Sequence, residues 1–164
     1  EHSVPTFSFL FQEKEKPGTF YPEKATALGI PKGELWHKLQ QGEEVVIENK
    51  SIKPSEVMGS SVPGKKIGIS GDTRPIKKLE AFFKNCDYLV FDSTFSDELK
   101  EKAIESCHST AKEAAAFAKN ASVSNLILTH FSARYKNESV LLDEARTVHN
   151  SVIAANDQLK VEIE

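Results

Sequence analysis

Four residues that can hold a metal or move a proton stand where apolar runs give way to loops: His2, Asp72, His108 and His130. Asp72 follows Lys66-Ile67-Gly68-Ile69-Ser70-Gly71, and His130 follows Leu126-Ile127-Leu128-Thr129. Imidazole and carboxylate together form the ligand set of a zinc-type hydrolytic site. In open α/β sheets such groups collect at the ends of strands.

In Ser70-Gly71-Asp72-Thr73-Arg74-Pro75 the glycine permits a sharp turn and the proline pre-sets the first turn of a helix. Asp72 is left at the strand's end, where it either caps that helix or bridges two metal ions. His130 is delivered by a buried strand to a polar loop. One ring nitrogen can face a metal while an acceptor holds the other, or the ring is simply a satisfied half-buried histidine. Arg134 can clasp a phosphate through paired hydrogen bonds or sit in a surface ion pair. His108 precedes a helix whose start is marked by the capping box Thr110-x-x-Glu113. Placed there, it can donate a proton to a leaving oxygen. Asp92 ends another apolar run and either orients His108 or caps the loop that follows. His37 and His149 fall within helical patterns and receive no role.

These residues need a scaffold, and the rhythm of the chain supplies one. Phe7, Phe9 and Phe11 alternate across residues 3–11, which predicts a strand with a buried aromatic face. From Lys65 onward strands and helices alternate. The patterns predict strands at 66–70, 88–91, 126–128 and 152–154, the last paired with 161–163. Helices are expected at 75–84, 98–105, 111–120 and 138–149. That order argues for an α/β domain with a parallel or mixed sheet. Residues 12–62 differ: two short helices at 22–28 and 31–41, a hairpin at 45–53, and many turn residues. This stretch reads as an insertion into a domain made of residues 1–11 and 63–164.

Composition narrows the class. The chain has 164 residues, 39% of them hydrophobic and 27% charged, as in a soluble globular protein. It carries no apolar run near eighteen residues and no signal-peptide pattern, which argues against a membrane or secreted protein. Cys86 and Cys107 are the only cysteines, too few for a cysteine-rich zinc site, and read as reduced, buried thiols of a cytoplasmic protein. The net charge of −3 disfavours indiscriminate nucleic-acid binding, although residues 63–78 gather Lys65, Lys66, Arg74, Lys77 and Lys78. The chain opens on Glu1 without a methionine, which reads as a cut beginning with an upstream half missing.

Taken in order, several segments resemble the tRNA 3′-processing endoribonucleases, RNase Z, of the metallo-β-lactamase superfamily. They are Glu1-His2-Ser3-Val4-Pro5-Thr6-Phe7, then Pro22-Glu23-Lys24-Ala25 through Leu28-Gly29-Ile30-Pro31. Ser70-Gly71-Asp72-Thr73-Arg74-Pro75, His108-Ser109-Thr110-Ala111 and Leu128-Thr129-His130-Phe131-Ser132-Ala133-Arg134-Tyr135 follow. The resemblance runs over almost the whole chain. It implies the C-terminal half of an αββα sandwich, with residues 12–62 as a flexible arm that grips the tRNA body.

It also implies His2, Asp72 and His130 as ligands of two zinc ions, with Asp72 bridging, and His108 as proton donor. Arg74, Ser132 and Arg134 become the phosphate contacts. The implied partners are precursor tRNA and a second copy of the chain in a homodimer. The chain departs from the family in several places. The His-x-His-x-Asp-His signature is absent, so the isolated chain is expected to be inactive. Gly33-Glu34 stands where the arm often has Gly-Pro, and Phe91-Asp92 where His-Glu is common. Asn156-Asp157-Gln158 only loosely matches the usual acidic ending. Two other readings remain open: a non-catalytic RNA-binding or dimerisation fragment, and another phosphodiesterase of the same fold.

Overall fold

The computed structural model describes residues 2–163; Glu1, the first residue of the opening motif, lies outside them. The elements in chain order are β1 (Phe9–Gln12), α1 (Pro22–Ala27), α2 (Glu34–Gln40), β2 (Val45–Ile47), β3 (Lys50–Ile52), α3 (Pro54–Val57) and β4 (Lys66–Ile69). They continue with α4 (Lys77–Phe82), β5 (Tyr88–Asp92), α5 (Lys100–Glu105), α6 (Ala111–Asn120), β6 (Asn125–Thr129), α7 (Ser139–Arg146) and β7 (Val152–Ala154). Contacts divide the chain into two units, residues 1–12 with 65–164 and residues 13–64.

The larger unit is α/β and its sheet is mixed, in the order β1-β4-β5-β6-β7. β4 to β7 run parallel, while β1 pairs antiparallel with β4. Parallel strands are linked by the helices between them, so strands 4 to 7 all end on one side of the sheet. The register aligns Leu10, Gly68, Leu89, Leu126 and Val152 across one face. There they join Phe83, Phe117, Leu141 and Ala145 from the helices in one buried cluster. Alanines at 111, 114, 115 and 118 let α6 lie close against the sheet, and all four are fully buried. Gly68 is needed for the same reason, because a Cβ there would sit 2.5 Å from the Phe83 ring.

The opposite face carries Phe9, Ile69, Val90, Ile127 and Ile153, then Phe11, Ile67 and Tyr88; of these Ile127 is buried and the rest are exposed or half-buried. The buried aromatic face expected of residues 3–11 is therefore corrected. Phe7, Phe9 and Phe11 are 72%, 53% and 56% exposed. Alternation sorts residues onto two faces, but helices cover only the face that Leu10 occupies. The strand itself is shorter than expected. β7 pairs with β6, not with residues 161–163, which form no strand.

Cys86 is fully buried, and burial pushes its thiol above the usual value; Cys107 is only half-buried. His149 is buried, with its ring nitrogens against the carbonyls of Val123 and Ser151.

The smaller unit has a core of its own: Ala25, Ile30, Leu39, Val45, Ile52 and Val57. Its hairpin β2–β3 turns through Glu48 and Asn49, both at positive φ. The short helix α3 fell outside the sequence-based expectation. The bridges Lys16–Val62 and Phe20–Met58 close the unit near its ends.

Candidate metal centre

The site is built where β4, β5 and β6 end. β4 stops because Gly71 turns to φ 63°, and a Cβ there would meet the Phe7 carbonyl at 2.6 Å. That turn presents Asp72, with 44% of its side chain exposed. β6 stops because His130 itself adopts φ 64°. A non-glycine residue pays for that conformation, and such strain persists where surrounding contacts hold it. The result brings His130 Nε2 to 3.4 Å from Asp72 Oδ2.

Between these two strand ends, β5 ends in a fully buried carboxylate. Asp92 Oδ2 accepts from Thr73 N–H at 3.0 Å and from His108 Nδ1–H at 2.7 Å. Its Oδ1 accepts from the Thr94 backbone at 3.1 Å, the Thr94 hydroxyl at 2.7 Å and, at longer range, Ser109 N–H at 3.4 Å. Asp92 thus ties the loops after β4, β5 and α5 together. Of the two roles the sequence left open, it orients His108 and also organises its own loop.

His108 stacks on His130, with ring centroids 4.8 Å apart and planes at 19°. His2 meets His108 edge-on at 5.0 Å. Its Nδ1 accepts a 3.3 Å bond from Val4 N–H, while its Nε2 is buried with no hydrogen-bond partner among the described residues. The four junction residues therefore form one continuous cluster.

Asp92, His108 and His130 each bring a donor atom within 4.8 Å of the others, a grouping able to hold a metal ion. Asp92 is the weakest ligand of the three. Its oxygens are already saturated by five donors, more than the four lone-pair sites a carboxylate offers. Asp72 has no such claim on its oxygens and lies beside His130. The Nε2 of His2 adds a buried nitrogen that has no partner among the described residues. Imidazole and carboxylate donors with one unsatisfied buried nitrogen fit a metal of the zinc type.

Arg74, offered by the sequence as a phosphate contact, pairs in this structure with Glu113 and the His108 carbonyl. Its Nη1 donates to Glu113 Oε2 at 2.7 Å, its Nη2 to Glu113 Oε1 at 2.5 Å, and Nη1 also to the His108 carbonyl. The fork is occupied at the start of α6. Ser132 and Arg134 lie on the loop after His130, where Arg134 Nε donates to Ser132 Oγ at 3.0 Å and the guanidinium lies over Phe95. Arg134 is exposed.

Sequence reasoning missed Thr94, whose hydroxyl lies 2.8 Å from His130 Nδ1, and the pairing of Glu113 with Arg74. A hydroxyl two residues beyond a buried strand-end carboxylate was the available signal for Thr94. Nothing local signals the Arg74–Glu113 pair.

Comparison with known proteins adds a second line of observation. A family model described as a β-lactamase superfamily domain matches residues 14–131. A ribonuclease Z of Nitrosopumilus maritimus is 62% identical over 162 residues, 99% of this chain and 54% of the relative. One from Methanosarcina acetivorans is 44% identical over 164 residues, again covering 99% and 54%. The solved structure of the human tRNase Z short form superposes with a TM-score of 0.51 at 31% identity, covering 63% of this chain and 37% of that one. The chain spans about half the length of the curated relatives it matches. With its strand-end site and its sequence likeness to ribonucleases Z along nearly its full length, the chain belongs to the β-lactamase superfamily.

Proposed function

We propose that this chain is the C-terminal part of a zinc-dependent endoribonuclease that cleaves precursor tRNA to leave its mature 3′ end. The observation that carries the reading is the single cluster of His2, Asp72, His108 and His130 at the ends of parallel strands. The likeness to ribonucleases Z supplies the substrate class.

His2, Asp72 and His130 would hold the metal. Zinc, when bound, supplies Lewis acidity that stabilises charge developing on the phosphodiester. His108 manages the proton. Its Nδ1–H is committed to Asp92, so only Nε2 is left to carry a proton to the departing oxygen. Ser132 and Arg134 offer donors to the phosphate. Residues 12–62 act as an arm that grips the tRNA body, and the enzyme works as a cytoplasmic homodimer.

The isolated chain is inactive in this reading, because it lacks the His-x-His-x-Asp-His ligands. The test is a chimera in which this chain replaces the matching segment of the Nitrosopumilus maritimus relative. It is expected to trim a precursor tRNA to its mature 3′ end, to stop on chelation and to recover with zinc. A folded, zinc-loaded chimera without that cleavage, or chelator-sensitive cleavage by the 164-residue chain alone, overturns the proposal.

A further inference from the structure

We infer that Thr94 is a positioning residue that fixes the tautomer of His130, so that Asp92 sets the free nitrogen of two histidines at once. The inference builds on the proposed site but concerns this chain's own hydrogen bonds. It rests on a proton count. A threonine hydroxyl has one hydrogen to give. Thr94 Oγ1 gives it to Asp92 Oδ1 at 2.7 Å, and the Thr94 backbone N–H donates to the same oxygen at 3.1 Å, which fixes the geometry. A hydroxyl whose hydrogen is spent can only accept. Its second partner is His130 Nδ1 at 2.8 Å, so the hydrogen of that bond belongs to the ring.

His130 is therefore protonated on Nδ1 and carries its lone pair on Nε2. That nitrogen faces Asp72 Oδ2 at 3.4 Å. Two acceptors at this separation repel each other, and a cation between them would turn the repulsion into coordination. His108 receives the same treatment directly, since the carboxylate of Asp92 can only accept from its Nδ1. One buried acid, acting once by itself and once through Thr94, thus leaves Nε2 as the available atom on both stacked rings.

The relay is held on both sides. Ser93 N–H and Ser93 Oγ both bond the Thr129 carbonyl, at 3.0 and 2.8 Å, and Ser132 N–H bonds the Thr94 carbonyl at 3.1 Å. Thr94 and His130 therefore cannot drift apart without breaking three further bonds.

Imidazole free in water favours the hydrogen on Nε2, so the inferred state is opposite to the default. Long-range proton–nitrogen correlation spectra of the metal-free, nitrogen-15-labelled 164-residue chain, at a pH where its imidazoles are neutral, read the tautomer of each ring. His130 and His108 are both expected with the hydrogen on Nδ1. Thr94→Ser keeps the hydroxyl and is expected to keep both signatures. Thr94→Val, and Thr94→Ala as a smaller replacement, are expected to return His130 to a mixture dominated by the Nε2–H form while His108 stays unchanged. A role for Thr94 in folding alone would disturb both rings or neither. Finding His130 as Nε2–H in the unmodified chain, or unmoved in both Thr94→Val and Thr94→Ala, overturns the inference. Neither metal nor substrate enters the measurement, so the proposed activity can fail without affecting it.

Discussion

Replacing Arg74 by methionine tests whether the β4–α6 junction depends on a buried ion pair. Arg74 makes two charge-assisted bonds to Glu113, at 2.7 and 2.5 Å, and a third to the His108 carbonyl. The side chains are only 16% and 13% exposed. Removing one member of such a pair leaves the other buried and uncompensated, at about 3–5 kcal/mol. Glu113 would keep the Thr110 N–H at 3.1 Å and Lys100 Nζ at 3.9 Å, along with some contact with water. The expected loss is therefore near the low end, about 3 kcal/mol. Glutamine at 113 preserves the capping box, because its side-chain oxygen can still accept from Thr110. The double variant Arg74→Met with Glu113→Gln should accordingly recover about 2 kcal/mol relative to the sum of the single changes. Urea unfolding followed by far-ultraviolet circular dichroism measures all three, provided the slopes agree. A loss below about 1 kcal/mol for Arg74→Met, or strict additivity in the double variant, would show the pair to behave like an exposed salt bridge.

Three further outcomes are expected. Phe117 is 2% exposed and packs on Phe91 at 4.6 Å, so Phe117→Ala should cost about 3–5 kcal/mol in the same unfolding assay. Gly68→Ala places a Cβ 2.5 Å from Phe83 and 2.8 Å from Leu89; overpacking should cost about 1–3 kcal/mol, and Phe83→Leu should relieve part of it. The Cys86 thiol is held above its ordinary value of 9.0 by burial. As pH passes that value the unfolded chain loses a proton that the folded chain keeps, so stability falls. Urea midpoints should decline from about pH 8.5 to 10, with a shallower decline in Cys86→Ala.

What could be read from the sequence was what local chemistry decides. Thr110 and Glu113 announced α6 because a capping box acts within four residues, and the structure starts the helix at Ala111 with that box formed. Val45–Ile47 and Val152–Ala154 were equally visible as β-branched runs. Residues 3–11 misled because period-two alternation says which side chains share a face, not whether anything covers it. The site divides along the same line. Asp72 and His130 were legible as polar residues ending apolar runs and His108 as the histidine before a capped helix, and the structure gathers them. Arg74 and Glu113 are 39 residues apart, and no local pattern links them. Thr94 was hidden because the count of its single proton needs both of its neighbours in view.

The position of β1 at the border of the sheet has a consequence for how this chain behaves in concentrated solution. One edge of Phe9–Gln12 bonds to β4, and in this chain β1 ends the sheet. Residues 6–12 contain three phenylalanines, no charge and no proline. An edge strand of that composition is a template for adding strands from other molecules. Glu13, Lys14, Glu15 and Lys16 follow at once, an alternation of charge that acts as a gatekeeper on any growing stack. The same few residues that close the sheet beside the Gly71 turn therefore also set a ceiling on the chain's colloidal stability, and four charged neighbours decide how high it stands.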